Sequence, residues 1–129
     1  MSWECERCHF DSNPDADPQC QACLRTRMPR TVILVDRASG REQRTNLATP
    51  VGRRLLQKIA DDAHYASEPQ FQLLRDEAAG AWLIHHSASA TNPTYYNSRP
   101  LDGDARPIES GGSISVGPER LQLMIRFEF

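Results

Sequence analysis

All four cysteines of this 129-residue chain fall within its first 23 residues, as two Cys-x2-Cys pairs, Cys5/Cys8 and Cys20/Cys23. Nothing else in the sequence restricts the fold as tightly. Residues 1–30 are too few and too polar to bury a core of their own. Asp, Asn, Pro and Ser dominate residues 11–18, which is loop chemistry. Each cysteine pair forms a knuckle that aims two sulfurs at one point, and two knuckles close a tetrahedron. Zn²⁺ suits four thiolates. Its binding, worth about 10–16 kcal/mol in small finger peptides, replaces the missing core. The alternatives to one structural zinc ion are two disulfides or an iron centre. His9 directly follows Cys8, which is poor geometry for joining the same knuckle.

Residues 24–30 carry Arg25, Arg27, Pro29 and Arg30 and read as a solvated linker, so the chain divides into a small unit at 1–30 and a domain at 31–129. The domain reads as short strands separated by turn residues. Val32-Ile33-Leu34-Val35 is a β-branched run, and residues 41–49 are its hairpin partner. Pro50 breaks the chain before Val51. Leu55, Leu56, Ile59, Ala60 and Ala63 follow a helical period, which predicts a short helix in a connecting loop. Strands from Phe71 and from Ala81 to His86 flank a turn. Residues 89–98 predict a loop presenting Thr91 and Asn92, then a short strand, then a tight turn. Ile108 is expected to begin another strand, with turns at Gly111-Gly112 and Gly117-Pro118. Leu121, Leu123, Ile125, Phe127 and Phe129 alternate with polar residues in the most amphipathic strand of the chain. This spacing predicts an all-β sandwich.

The formal net charge is −2, so no overall field favours nucleic acid or an anionic membrane. No apolar run approaches the roughly 18 residues of a membrane span. The N-terminus lacks the pattern of a secretory signal, which leads to the expectation of a cytoplasmic protein, where paired cysteines favour metal over disulfides. No nucleophile elbow, phosphate loop or helix-borne zinc motif is present, so an enzyme is not expected. His85 and His86 are adjacent on a strand and point to opposite faces, one toward the core and one toward solvent, so they do not share a metal.

Trp3, Cys5, Cys8, Asn13, Cys20 and Cys23 together resemble a RanBP2-type zinc finger, with a Trp two residues before the first Cys and an Asn seven before the third. The gap from Cys8 to Asn13 is one residue longer than usual. That resemblance implies ubiquitin or single-stranded RNA as partners, although His9-Phe10 stands where ubiquitin readers carry Thr-Phe. A metal-held docking knob is the plainer expectation.

Residues 31–129 resemble a forkhead-associated (FHA) domain through motifs in order: Val51-Gly52-Arg53, Ser67-Glu68-Pro69-Gln70-Phe71, Thr91 to Ser98, and Ile114-Ser115-Val116-Gly117. The resemblance implies a β-sandwich of about eleven strands that binds phosphothreonine peptides with loops at one end. It implies that Arg53 holds the phosphate or the peptide main chain, and that Ser67 binds the phosphate. Thr91 adds a contact, Asn92 holds the peptide backbone, and Gly52 and Asn97 shape the loops. A phosphothreonine carries about −1.5 to −2 charges and several strong acceptors, which Arg and Ser donors match. The implied role is an adaptor for Thr-phosphorylated proteins in kinase/phosphatase signalling. Two departures point to an alternative, a degenerate FHA scaffold that binds partners without phosphate. Glu68 stands where the family often has a cation or Asn; a like charge about 5 Å from the phosphate costs on the order of 1–3 kcal/mol. Gln70 replaces a His that buttresses the binding loops, and Pro93 replaces a turn glycine.

Overall fold

The computed structural model describes residues 2–117 and 119–129. Pro118, expected in a turn with Gly117, lies outside the described residues. Two buried apolar clusters exist, and the strands sort themselves around them.

The smaller cluster gathers Trp3, Cys5 and Cys20, with Phe10 and Cys23 against it. Strands β1 (Ser2–Trp3) and β2 (Asn13–Pro14) pair antiparallel beside it. The Trp3 indole Nε1 donates to the carbonyls of Pro14, at 2.9 Å, and Asp17, at 3.1 Å. Asn13 is fully buried; its Oδ1 accepts from Gln21 N at 2.7 Å, and its Nδ2 reaches the carbonyls of Trp3 and Phe10. A buried amide with its donor and acceptor both used pins the loop between the cysteine pairs.

The larger cluster is the core of a sandwich with sheets of four and six strands. Strand β3 (Thr31–Asp36) is the β-branched run, and β4 (Glu42–Thr45) is its hairpin partner. Then β5 (Thr49–Val51) crosses to the other sheet. Pro50 does not break the chain as expected: it sits within β5, an edge strand, where a missing N–H leaves no ladder bond unmade. The expected helix is only one turn, α1 (Arg53–Leu56), followed by a turn of 3₁₀ helix at Ala63–Tyr65. Its apolar positions Leu56, Ile59, Ala60 and Ala63 are nonetheless all buried, so the period reports a face packed on the core rather than a continuous helix.

Strands β6 (Phe71–Asp76) and β7 (Ala81–His86) form the central hairpin of the four-stranded sheet, sending Phe71, Leu73, Trp82 and Ile84 inward with no measurable exposure. The other sheet continues with β8 (Thr94–Tyr96) and β9 (Arg99–Pro100). Asn97 and Ser98 join these two strands, both with positive φ, as a two-residue hairpin turn demands. Next, β10 (Arg106–Pro107) pairs with β7 at the sheet edge. Ile108, expected to start a strand, comes just after this one, and its N–H bonds Trp82 O at 2.9 Å. Strands β11 (Ser113–Val116) and β12 (Arg120–Glu128) complete the order β4-β3-β12-β11-β8-β9. Leu121, Leu123 and Ile125 are buried as their alternation requires. Each stabilises the fold by about 1.5–3 kcal/mol relative to exposure. Phe129 breaks the pattern at 54% exposed: it leaves the sheet and stacks on Arg27, whose guanidinium lies 4.7 Å from the Phe129 ring centre and 5.1 Å from that of Trp3.

Residues 24–30 are not the solvated linker the composition suggests. Met28 is part of the sandwich core, and Pro29 O accepts from the Trp82 indole at 2.8 Å. At the tip of the β6–β7 hairpin, Gly80 (φ +68°) approaches so closely that a Cβ there would lie 2.3 Å from Thr26 O. Arg75 spans the junction, with Glu6 at 3.7 Å and its guanidinium over the Trp82 ring. No helix among the described residues is long and apolar enough to cross a membrane.

Candidate functional site

Three loops meet at one end of the sandwich: β5 into α1, carrying Gly52 and Arg53; the 3₁₀ turn into β6, carrying Ser67; and β7 into β8, carrying Thr91 and Asn92. Backbone and side-chain bonds knit them together. Arg53 N donates to Ser67 O at 3.2 Å, and Arg53 Nε donates to Ala66 O at 3.1 Å. Thr91 N donates to Ser67 Oγ at 2.9 Å. Asn92 Nδ2 donates to Tyr65 O at 2.8 Å. The four residues singled out in the sequence therefore share one small surface.

Each keeps capacity to bind something else. The Ser67 hydroxyl accepts one bond, and its own proton is free to donate. Arg53 uses only Nε, and its two Nη groups have no partner among the described residues. Asn92 retains its Oδ1 acceptor and a second Nδ2 proton. Thr91 exposes its side chain. Asn97 serves structure one turn further on: with φ +49° it holds the hairpin, and its Oδ1 accepts from Ser113 N at 2.9 Å.

Gln70 stands where the resemblance places a loop-buttressing His, and the glutamine ties the loops together itself. A glutamine in a loop is usually solvated, yet this one is completely buried. Its Oε1 accepts from Ser67 N at 2.8 Å, while its Nε2 donates to Asn92 O at 2.7 Å and to Thr94 Oγ1 at 2.9 Å. One amide thus ties the Ser67 loop to the Asn92 loop. The chain continues inward: Thr94 Oγ1, having accepted from Gln70, has a proton for His86 Nδ1 at 2.8 Å. Burial and the neighbouring His85 hold the His86 pKa below its ordinary value, so the neutral ring that this acceptor role needs is favoured. Neither histidine is a core residue as expected. Both are half-buried, and His85 Nε2 meets Gly103 O at 3.0 Å.

Glu68 also has a defined place. Its Oε2 accepts from Arg54 N at 2.8 Å, and a Cβ on Gly52 would lie 2.6 Å from its carboxylate. A side chain at position 52 would have to displace the exposed Glu68 carboxylate, not backbone. The carboxylate adds a negative charge beside Arg53 and Arg54.

At the other end of the molecule the sulfurs of Cys5, Cys8, Cys20 and Cys23 all lie within 4.8 Å of one another. Cys5 and Cys23 are 3.6 Å apart, and Cys8 and Cys20 are 3.5 Å apart. A tetrahedron with Zn–S bonds of about 2.3 Å has edges near 3.8 Å, so the four fit one ion. The two knuckles have the same build. His9 N donates to Cys5 O and Leu24 N to Cys20 O, both at 2.8 Å, and both residues take positive φ. Burial pushes the Cys20 thiol up. The Cys23 and Ala22 amides, Asn13 and Cys8 outweigh it and bring Cys20 down to about 6. Burial likewise acts on Cys5, where the Cys8 and Arg7 amides prevail and lower it. Cys8 goes the other way: the Phe10 amide favours its thiolate, but burial and the other three sulfurs push it up to about 12. Thiolate charge crowded this closely is what a divalent cation relieves. His9 is not among the clustered ligands.

No family profile and no curated protein sequence matches the chain. Solved structures do. An FHA domain of an Arabidopsis thaliana protein superposes with a TM-score of 0.61 at 23% identity, covering 79% of this chain and 88% of that one. The first FHA domain of Mycobacterium tuberculosis Rv1747 gives 0.60 at 18%, covering 78% and 99%. The FHA domain of human APLF, in complex with an XRCC1 bisphosphopeptide, gives 0.60 at 23%, covering 74% and 97%. The chain thus has the fold of a forkhead-associated domain, preceded by a four-cysteine knuckle unit suited to one metal ion.

Proposed function

We propose that this protein is a non-enzymatic adaptor whose loop end binds a phosphothreonine-containing segment of a partner protein, within kinase/phosphatase signalling. The convergence of Arg53, Ser67, Thr91 and Asn92 on one surface, tied together by the buried Gln70, carries this reading. The free Nη groups of Arg53 supply forked donation to phosphate, and the Ser67 hydroxyl supplies a further donor. Thr91 adds a contact, and Asn92 grips the peptide main chain. The phosphopeptide seen on the human APLF domain supports the same use of the fold. In this reading the four cysteines of the knuckle unit hold one structural Zn²⁺, and the protein works in the cytoplasm.

Glu68 favours a second reading, a scaffold that recognises its partner without phosphate, because its carboxylate already lies against Gly52 and the Arg54 amide. A phosphothreonine peptide array and its unphosphorylated twin separate the two. The leading reading expects phosphate-dependent binding that Arg53→Ala and Ser67→Ala each weaken roughly ten- to hundredfold, the equivalent of a charge-assisted bond of about 1.5–3 kcal/mol. Equal binding of both peptide forms would remove the phosphate role and leave the scaffold.

A further inference from the structure

Where the knuckle unit meets the sandwich, a cleft of about 480 Å³ opens, with none of the four cysteines in its lining. Its apolar walls are Pro18, Pro29, Trp82, Ile108, Phe127 and Phe129. Sites that hold small ligands or side-chain anchors span about 300–1,000 Å³ and are mostly apolar with a few placed polar groups, and this cleft meets both conditions. Contacts within the protein brace part of the wall. The Trp82 indole is bonded to Pro29 O, Gly80 is pressed on Thr26, and Arg27 is stacked between Trp3 and Phe129.

The rim says what kind of occupant fits. Its charged residues are Asp15, Asp17, Glu109 and Arg27. The Arg27 guanidinium is held between its two rings. Asp17 is committed to Gln19 N at 3.0 Å and Gln21 Nε2 at 3.4 Å. Asp15 and Glu109 are exposed, and their carboxylates have no hydrogen bond or ion pair among the described residues. An apolar trough edged by two uncommitted acids disfavours acidic peptides and nucleic acid. It also leaves a purely apolar ligand without its best contacts. We propose that this cleft is a second protein-binding site, which takes a partner segment in which an apolar side chain adjoins a lysine or arginine. The apolar side chain enters between Phe129 and Pro18, and the cation meets Asp15 and Glu109.

The test is a random octapeptide phage library panned on the full, metal-loaded chain, followed by titration of a selected synthetic peptide. Selected sequences are expected to place Lys or Arg within two positions of Leu, Ile, Met, Phe or Trp. The peptide should shift the Trp82 indole N–H signal in the ¹⁵N–¹H spectrum. Asp15→Lys with Glu109→Lys should weaken binding about tenfold, and added salt should weaken it in the parent chain. Arg53→Ala should leave it unchanged, which separates this site from the loop end. Acidic or featureless selected sequences, no enrichment, or an affinity indifferent to the double substitution would overturn the proposal. So would a concentration-dependent shift of Trp82 without peptide, which would make the occupant a second copy of this chain.

Discussion

The knuckle unit and the sandwich reach order by opposite means. In the first, buried apolar mass amounts to Trp3 and two cysteines, and polar bonds from Asn13 and the Trp3 indole do the rest. In the second, a continuous cluster from Met28 to Ile125 fills the space between two sheets. One is held by a few strong, directional contacts, the other by many weak, non-directional ones. The difference decides where each can fail: a single ligand unmakes the first, whereas the second tolerates the loss of any one surface contact.

The sharpest way to break the comparison is to deny the four cysteines the metal ion proposed for them. Cys20→Ser, or a strong chelator, should remove about 10–16 kcal/mol of folding free energy from residues 2–24 while the β-sheet circular dichroism of the sandwich persists. Simultaneous melting of both would show that the packing of Met28 and Pro29 makes them one cooperative unit. The reciprocal change is Phe71→Ala, at a position with no exposure. It should lower sandwich stability in urea by about 3–5 kcal/mol, while Co²⁺ substituted at the cysteines keeps its thiolate absorption. A smaller effect is expected from Gln70→Ala, which leaves Ser67 N and Asn92 O without their partner. A cost of about 1–3 kcal/mol in all, read by denaturant titration, is expected together with faster amide exchange in both loops. An unchanged exchange pattern would mean that the loops hold their places without the buried amide.

Some of this architecture was plain in the chain, and some was not. The alternation from Leu121 to Ile125 dictates a strand with one buried face, and the structure has it. The paired cysteines needed only local geometry to converge. Asn97-Ser98 likewise announced a tight turn. The failures share a cause: they depend on what a residue meets from far along the chain. Pro50 is tolerated because β5 happens to lie at an edge, which no local window reveals. The helical period from Leu55 to Ala63 is real, but the core needed only its buried face. Residues 24–30 look solvated until Trp82 and Gly80 are placed against them. At the loop end, Arg53, Ser67, Thr91 and Asn92 could be picked out by motif order. Motif order also marked position 70 as a loop buttress, but a glutamine there read as a departure; that its amide joins the two loops emerges only when Ser67 and Asn92 are seen on either side of it.

Gly80 carries a consequence for anyone who would rebuild this molecule. With Thr26 O only 2.3 Å from where its Cβ would be, the docking of the head on the hairpin depends on a missing methyl group. An alanine there would act as a wedge, prising the two units apart without touching a sulfur or a core side chain. A head of this kind grafted onto another sandwich would need the same bare hairpin tip to settle in the same pose.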